Sequence, residues 1–234
     1  MTIDDPGNPP GSPTAPRNPI GVLQRFARPR APVERCDLCA AELPPDHQHL
    51  LEPANRKISC ACDPCAILFS GRADLRYKRV PRRIEAWPDF VMSELQWQSL
   101  GVPIALAFFF HSSPQQQIVA VYPSPGGATE STIPGEAWDF VTQENPGLAK
   151  LEPDVEALLA NRIRGARSYY RVPIDECFKL VGLVRTNWRG LSGGAAMWQE
   201  VDKFFAHLES RATKRVHAPS PGTPGEGGGG GSFV

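Results

Sequence analysis

Five of the six cysteines fall between Cys36 and Cys65, and their spacing limits what that stretch can become. They read Cys36-Asp-Leu-Cys39 and Cys60-Ala-Cys62-Asp-Pro-Cys65. A Cys-x-x-Cys turn can hold two thiolates on one ion, because its backbone N–H groups point at the sulfurs. Two such turns complete a tetrahedral four-sulfur shell. The interval from Cys39 to Cys62 is slightly longer than the roughly 15–20 residues of the usual pattern, yet within reach of a ribbon or treble-clef finger. Between the pairs, 47–52 (HQHLLE) and 56–60 (RKISC) read as short strands. Asp63-Pro64 then opens a helix, with Asp as cap and Pro at the first position. That helix carries Cys65 and stops at Gly71, and its positive end favours the Cys65 thiolate.

The expected ligands are Cys36, Cys39, Cys62 and Cys65. Cys60 can replace Cys62 or stay outside the shell, where a redox role is open to it. His47 and His49 share one face of the predicted strand. Each is an alternate ligand, a partner behind a ligand, or a satisfied imidazole. Four thiolates in a compact finger favour zinc. An iron–sulfur cluster uses the same donors and is the alternative. A complete four-thiolate shell leaves no open coordination position, so the expected metal is structural.

Lysine plus arginine and aspartate plus glutamate each number 25, so the net charge is zero. A whole-chain electrostatic grip on nucleic acid or an anionic membrane is therefore not expected. No apolar run is long enough to span a bilayer. The start of the chain is acidic and proline-rich, unlike a secretion signal, so a cytoplasmic location with reduced cysteines is expected. Proline and glycine, 25 and 21 in number, concentrate at the ends. Segments 1–19 and 218–234 have too little to bury to offset the entropy of ordering. The expected organisation is a mostly disordered tail over 1–30, the cysteine module over 31–75, an α+β domain over 76–212 and a disordered tail over 213–234.

In the central region, 89–100 reads as a helix capped by Asp89. Segments 102–110 (VPIALAFFF) and 117–122 (QIVAVY) read as strands, the first apolar on both faces and so central. Helices are expected over 136–144, 153–163 and 195–208, and a strand over 168–172. Segment 175–185 fits either, with its apolar spacing favouring helix. The mixed order implies an α+β domain of about four strands packed with helices.

Several further residues invite a functional reading. The stretch 122–131, with Ser124, Gly126, Gly127, Thr129 and Ser131, could line a ligand pocket, although it lacks the Gly-Lys-Ser/Thr of a phosphate loop. Asn187–Gly194 reads as a helix–helix connection. The basic run over 72–83 reads as a solvated face. His111 ends the Phe-rich strand beside two serines, and Cys177 reads as a core cysteine.

The segments Cys36-Asp-Leu-Cys39, Cys60-Ala-Cys62-Asp-Pro-Cys65, Leu106-Ala-Phe-Phe-Phe110, Tyr122-Pro-Ser-Pro-Gly-Gly-Ala-Thr-Glu-Ser131, Pro153-Asp-Val-Glu-Ala-Leu158, Val172-Pro-Ile-Asp-Glu-Cys177 and Trp188-Arg-Gly-Leu-Ser-Gly-Gly194 together resemble a bacterial family of unknown function, DUF5947. The resemblance brings no catalytic residue. Members of the family tend to lie near genes for nickel–iron hydrogenases, which implies an accessory role and a protein partner among hydrogenase subunits or maturation factors. The expectation is a non-enzymatic, zinc-binding interaction protein. The alternatives are a thiol-redox protein or enzyme using the 124–131 loop, and an iron–sulfur electron carrier.

Overall fold

The computed structural model describes residues 33–72, 76–190 and 193–214. Both tails expected to lack structure, 1–19 and 218–234, lie outside the described residues, as do Leu191 and Ser192. In chain order the elements are β1 (Gln48–Glu52), β2 (Lys57–Ala61), α1 (Asp63–Phe69), β3 (Lys78–Arg79), β4 (Glu85–Ala86), α2 (Glu94–Ser99), β5 (Leu106–Ser112), β6 (Gln117–Ser124), β7 (Gly127–Thr132), α3 (Gly135–Glu144), β8 (Glu156–Asn161), β9 (Ser168–Pro173), α4 (Ile174–Asn187), α5 (Gly194–Arg211) and β10 (Thr213–Lys214).

A strand that is apolar on both faces has to be covered on both. β5 meets that demand near the middle of a seven-stranded sheet ordered β10-β4-β9-β8-β5-β6-β7. Alternation sorts its side chains. Leu106, Phe108 and Phe110 join Val119, Val121, Ala157 and Leu159 in the core under α4 and α5. Ala107 and Phe109 join Ala120, Leu158 and Ala160 in the core on the opposite face, with Trp97 and Trp138. Antiparallel pairing of Phe108 with Leu159, and of Phe109 with Leu158, keeps the two sets in register.

The sheet is larger than the roughly four strands expected, for three local reasons. β4 and β10 hold only two residues each and give no periodic signal. β7, read as a loop, is the second arm of a hairpin that turns at Pro125-Gly126. β8 overturns the predicted helix over 153–163. Its Ala157-Leu-Leu-Ala160 run favours helix by propensity, but it is fully buried on both faces and so lacks the alternation that marks a strand. Asp154 also takes a positive φ of 71°, which interrupts any helix there.

The helix expected over 89–100 is shorter than read and starts at a different cap. Ser93 Oγ accepts from the Gln96 N–H at 3.1 Å, while Gln96 Oε1 accepts from the Ser93 N–H at 2.8 Å. This reciprocal pair is a capping box, a Ser-x-x-Gln signal passed over in favour of Asp89. The ambiguous segment 175–185 is helical within α4.

β1, β2 and β3 form a separate small sheet ordered β2-β1-β3. Leu51 on β1 reaches the main core, and Leu50 packs among the cysteines on the other side. Lys78 on β3 donates to the buried Asp154 at 2.6 Å, a further tie to the larger sheet.

Candidate metal centre

The first Cys-x-x-Cys is a tight turn held by its own backbone. Cys36 N–H donates to the Ala41 carbonyl and Ala40 N–H to the Cys36 carbonyl, both at 2.8 Å. Ala40 supplies the left-handed residue that closes the turn, with φ of 61°. Asp37 fastens it to β2: its N–H donates to the Cys60 carbonyl at 2.9 Å, and its carboxylate accepts from the Cys60 N–H at 2.7 Å. The hairpin β1–β2 then returns the chain to Cys62, which caps α1, and Cys65 follows in the first turn of that helix. The cap is thus Cys62 rather than Asp63, whose Oδ1 instead accepts from Gln48 Nε2 at 2.9 Å.

This path brings the sulfurs of Cys36, Cys39, Cys62 and Cys65 all within 4.8 Å of one another. Cys39 and Cys62 are 3.6 Å apart. Four sulfurs about 2.3 Å from a central ion stand roughly 3.8 Å apart, whereas a disulfide needs about 2.05 Å. Six free cysteines are present, so the cluster is not covalently joined.

The thiols of the group differ in how readily they ionise. Burial pushes the Cys36 thiol up, but N–H groups of Cys62, Leu38 and Cys39 outweigh it and bring the pKa down to about 6. Burial and the neighbouring sulfurs push Cys65 up to about 12. A divalent ion would hold several thiolates at once.

Cys60, His47 and His49 are brought together as a second group, their ligand atoms also within 4.8 Å of one another. His49 Nδ1 lies 2.6 Å from Asp175 Oδ2 on α4. Burial works against the Asp175 carboxylate, yet the hydrogen bond from His49 and the nearby Lys179 hold its pKa below the usual range. Asp175 is separated from His49 by 126 positions, and sequence spacing offers no sign of the pairing.

The other candidates are dispersed. Ser124 Oγ donates to the Gly127 carbonyl at 3.0 Å across the β6–β7 turn, and Thr129 and Ser131 lie along β7 with Gly126 at the turn. Ser124 also edges an apolar cavity of about 450 Å3 walled by Leu106, Trp188, Met197 and Trp198. His111 borders a cavity of about 580 Å3, and its Nδ1 is buried without a partner among the described residues. That lining contributes the carboxylate of Asp139 but, among the described residues, no serine, cysteine or lysine. Cys177 is wholly buried in the core.

The basic run is tied into the protein. Arg76 pairs with Glu52, Arg79 donates to Gln48, Arg82 to the carbonyls of Asp46 and His47, and Arg83 to Glu156. Among the described residues no helix is long and apolar enough to cross a membrane.

Comparison with curated proteins and with solved structures gave no match. Comparison with protein families did: over residues 35–212, more than half its length and including every cysteine of the cluster, the chain belongs to the family of unknown function DUF5947.

Proposed function

We propose that this chain is a non-enzymatic accessory protein in which a zinc-braced treble-clef finger presents an apolar helix to a protein partner. One observation carries the reading. Beyond Cys65 and Ala66, which are buried, α1 exposes three consecutive large apolar side chains: Ile67 at 70%, Leu68 at 69% and Phe69 at 43%. Contiguous apolar surface of this kind marks interaction sites. A four-thiolate ion at the base of the helix would hold it rigid, which lowers the entropy lost on docking.

Zinc suits four thiolates in so small a finger. A closed shell also suits bracing rather than turnover. The partner is a nickel–iron hydrogenase subunit or maturation factor, a choice that rests on the family's genomic setting. The metal is read by colour and elemental analysis: anaerobically purified protein should be colourless and contain zinc, and a brown, iron-containing protein would favour the electron-carrier alternative.

The docking claim is tested with purified hydrogenase subunits and maturation factors. The paired change Ile67→Glu with Leu68→Glu should weaken binding at least about tenfold while metal content stays constant. Equal binding by both forms, or no complex with any of these proteins, would overturn it.

A further inference from the structure

His47 and His49 face each other in a way that two neutral imidazoles alone do not favour. Antiparallel pairing sets His49 opposite Cys60 across β1 and β2, and His47 lies two residues earlier on the same side. His47 Nδ1 is 3.0 Å from the Pro44 carbonyl oxygen. His49 Nδ1 is 2.6 Å from the Asp175 carboxylate. Both partners only accept, so each Nδ1 carries a proton and each neutral ring keeps its lone pair on Nε2. These two Nε2 atoms are 3.2 Å apart. Two lone pairs at that distance repel unless something positive lies between them.

A proton could serve, but the third member of the group points elsewhere. Two imidazole nitrogens on one tetrahedral ion, each about 2.0–2.1 Å from it, stand about 3.3 Å apart. The Cys60 sulfur lies within 4.8 Å of both histidine donors, so a third ligand atom is at hand. Asp175 stands behind His49 as a carboxylate does behind a metal-bound histidine, fixing its tautomer and ring angle.

We propose that His47 Nε2, His49 Nε2 and Cys60 Sγ bind a second zinc ion, separate from the four-cysteine centre and not dependent on it. Three protein ligands leave a fourth position open. His47 and His49 line a cleft of about 130 Å3 that is also bordered by Asp46, Arg82, Glu176, Lys179 and Arg211, a size that admits water or a small anion. Asp175 is a positioning residue, joined to the ion only through His49.

The test uses the full chain loaded with zinc, then dialysed against metal-free buffer. The wild type should retain two equivalents, with X-ray absorption showing mixed sulfur and imidazole ligation. His47→Ala and Cys60→Ser should each lose one equivalent and leave an all-sulfur shell. Cys39→Ser should lose the other and leave the mixed one. Asp175→Asn should keep both ions but loosen the second, read as about 10- to 100-fold weaker zinc retention against a chelator. A wild type with one zinc in an all-sulfur shell would overturn the second site and leave the first standing. Two zincs persisting in both His47→Ala and Cys60→Ser would overturn it as well. A single mixed-ligand zinc that survives Cys39→Ser would instead remove the four-cysteine centre.

Discussion

Around β5 and β8, Phe108, Phe109, Phe110, Leu158 and Leu159 are sealed from solvent, with at most 2% of any of them exposed. The cysteine module has a different interior: Cys36, Leu43, Leu50, Ala61, Cys65 and Ala66, two leucines among small side chains. Burying a leucine contributes about 1.5–3 kcal/mol, while ordering each backbone residue costs about 1–2 kcal/mol. The sheet has enough apolar surface to meet that cost through packing. The module does not, and on the proposed function ligation by its converging sulfurs supplies what its core lacks. A region built on side-chain volume should tolerate loss of metal, and a region built on ligation should not.

The largest expected effect follows from that contrast. Structural zinc contributes on the order of 10 kcal/mol to the folding of small fingers. Removing all metal with a strong chelator should abolish hydrogen-exchange protection over 36–69, while Cys39→Ser should abolish it over the first turn and α1 and leave the β1–β2 hairpin protected. The amides of β5, β6 and β8 should stay protected. Uniform loss of protection in both regions would show that the sheet depends on the module after all.

The converse experiment acts on the sheet. Phe109 is fully buried and packs against Trp138 with the two rings tilted by 35° and their centroids 5.7 Å apart. Phe109→Ala should destabilise the chain by about 3–5 kcal/mol in denaturant titrations. Sulfur ligation, read from the cobalt-substituted spectrum, should be retained below the new unfolding midpoint.

A charged site inside the sheet gives a prediction of similar size with a pH signature. Glu156 is wholly buried and accepts from Arg171 Nε at 2.9 Å, from Arg83 and from the Glu152 N–H at 2.8 Å. Burial alone would raise its pKa, but the two guanidinium groups hold it below the usual carboxylate range. A depressed folded-state pKa contributes stability that is present above about 4.3, the value for an unfolded chain, and lost as pH falls through the folded value. Glu156→Gln should cost about 3–5 kcal/mol at neutral pH, since it leaves the buried Arg171 with only the more distant Glu85 carboxylate, 3.8 Å away, as counter-charge. It should also flatten the acid limb of the stability curve. An unchanged acid limb would mean that other carboxylates control it.

The same contrast explains what could be read from the amino acids alone. Cys36, Cys39, Cys62 and Cys65 were legible because two short turns and a hairpin bring them together locally, so spacing carries the geometry. The order of turn, hairpin and helix follows from the same local signals. β8 was not legible, because Ala157-Leu-Leu-Ala160 derives its strand conformation from neighbours on both sides rather than from its own pattern. The Asp175–His49 contact was hidden for a related reason. It joins a helix to a hairpin far away in sequence, and only the assembled sheet sets that distance.

The smallest effect tests how local a change within the sheet region can be. Ser93 begins α2, and its hydroxyl takes one N–H that the helix leaves unpaired. Ser93→Ala removes that acceptor but leaves the Gln96 side chain bonded to the Phe140 carbonyl at 3.0 Å. The expected loss is about 1 kcal/mol, read as a shift in denaturant midpoint at constant slope. Metal content and amide protection over 36–69 should be unaltered, because α2 covers the face of the sheet opposite α4 and α5. A shift several times larger would mean that Ser93 holds more than its own helix. The carbonyl of Ser93 faces Arg162 Nη1 at 3.5 Å, and Arg162 is buried over the Trp97 ring at 4.9 Å. Loosening the start of α2 would then reach the core under Phe109, and the excess should disappear when Trp97→Ala is combined with Ser93→Ala in a double-mutant cycle.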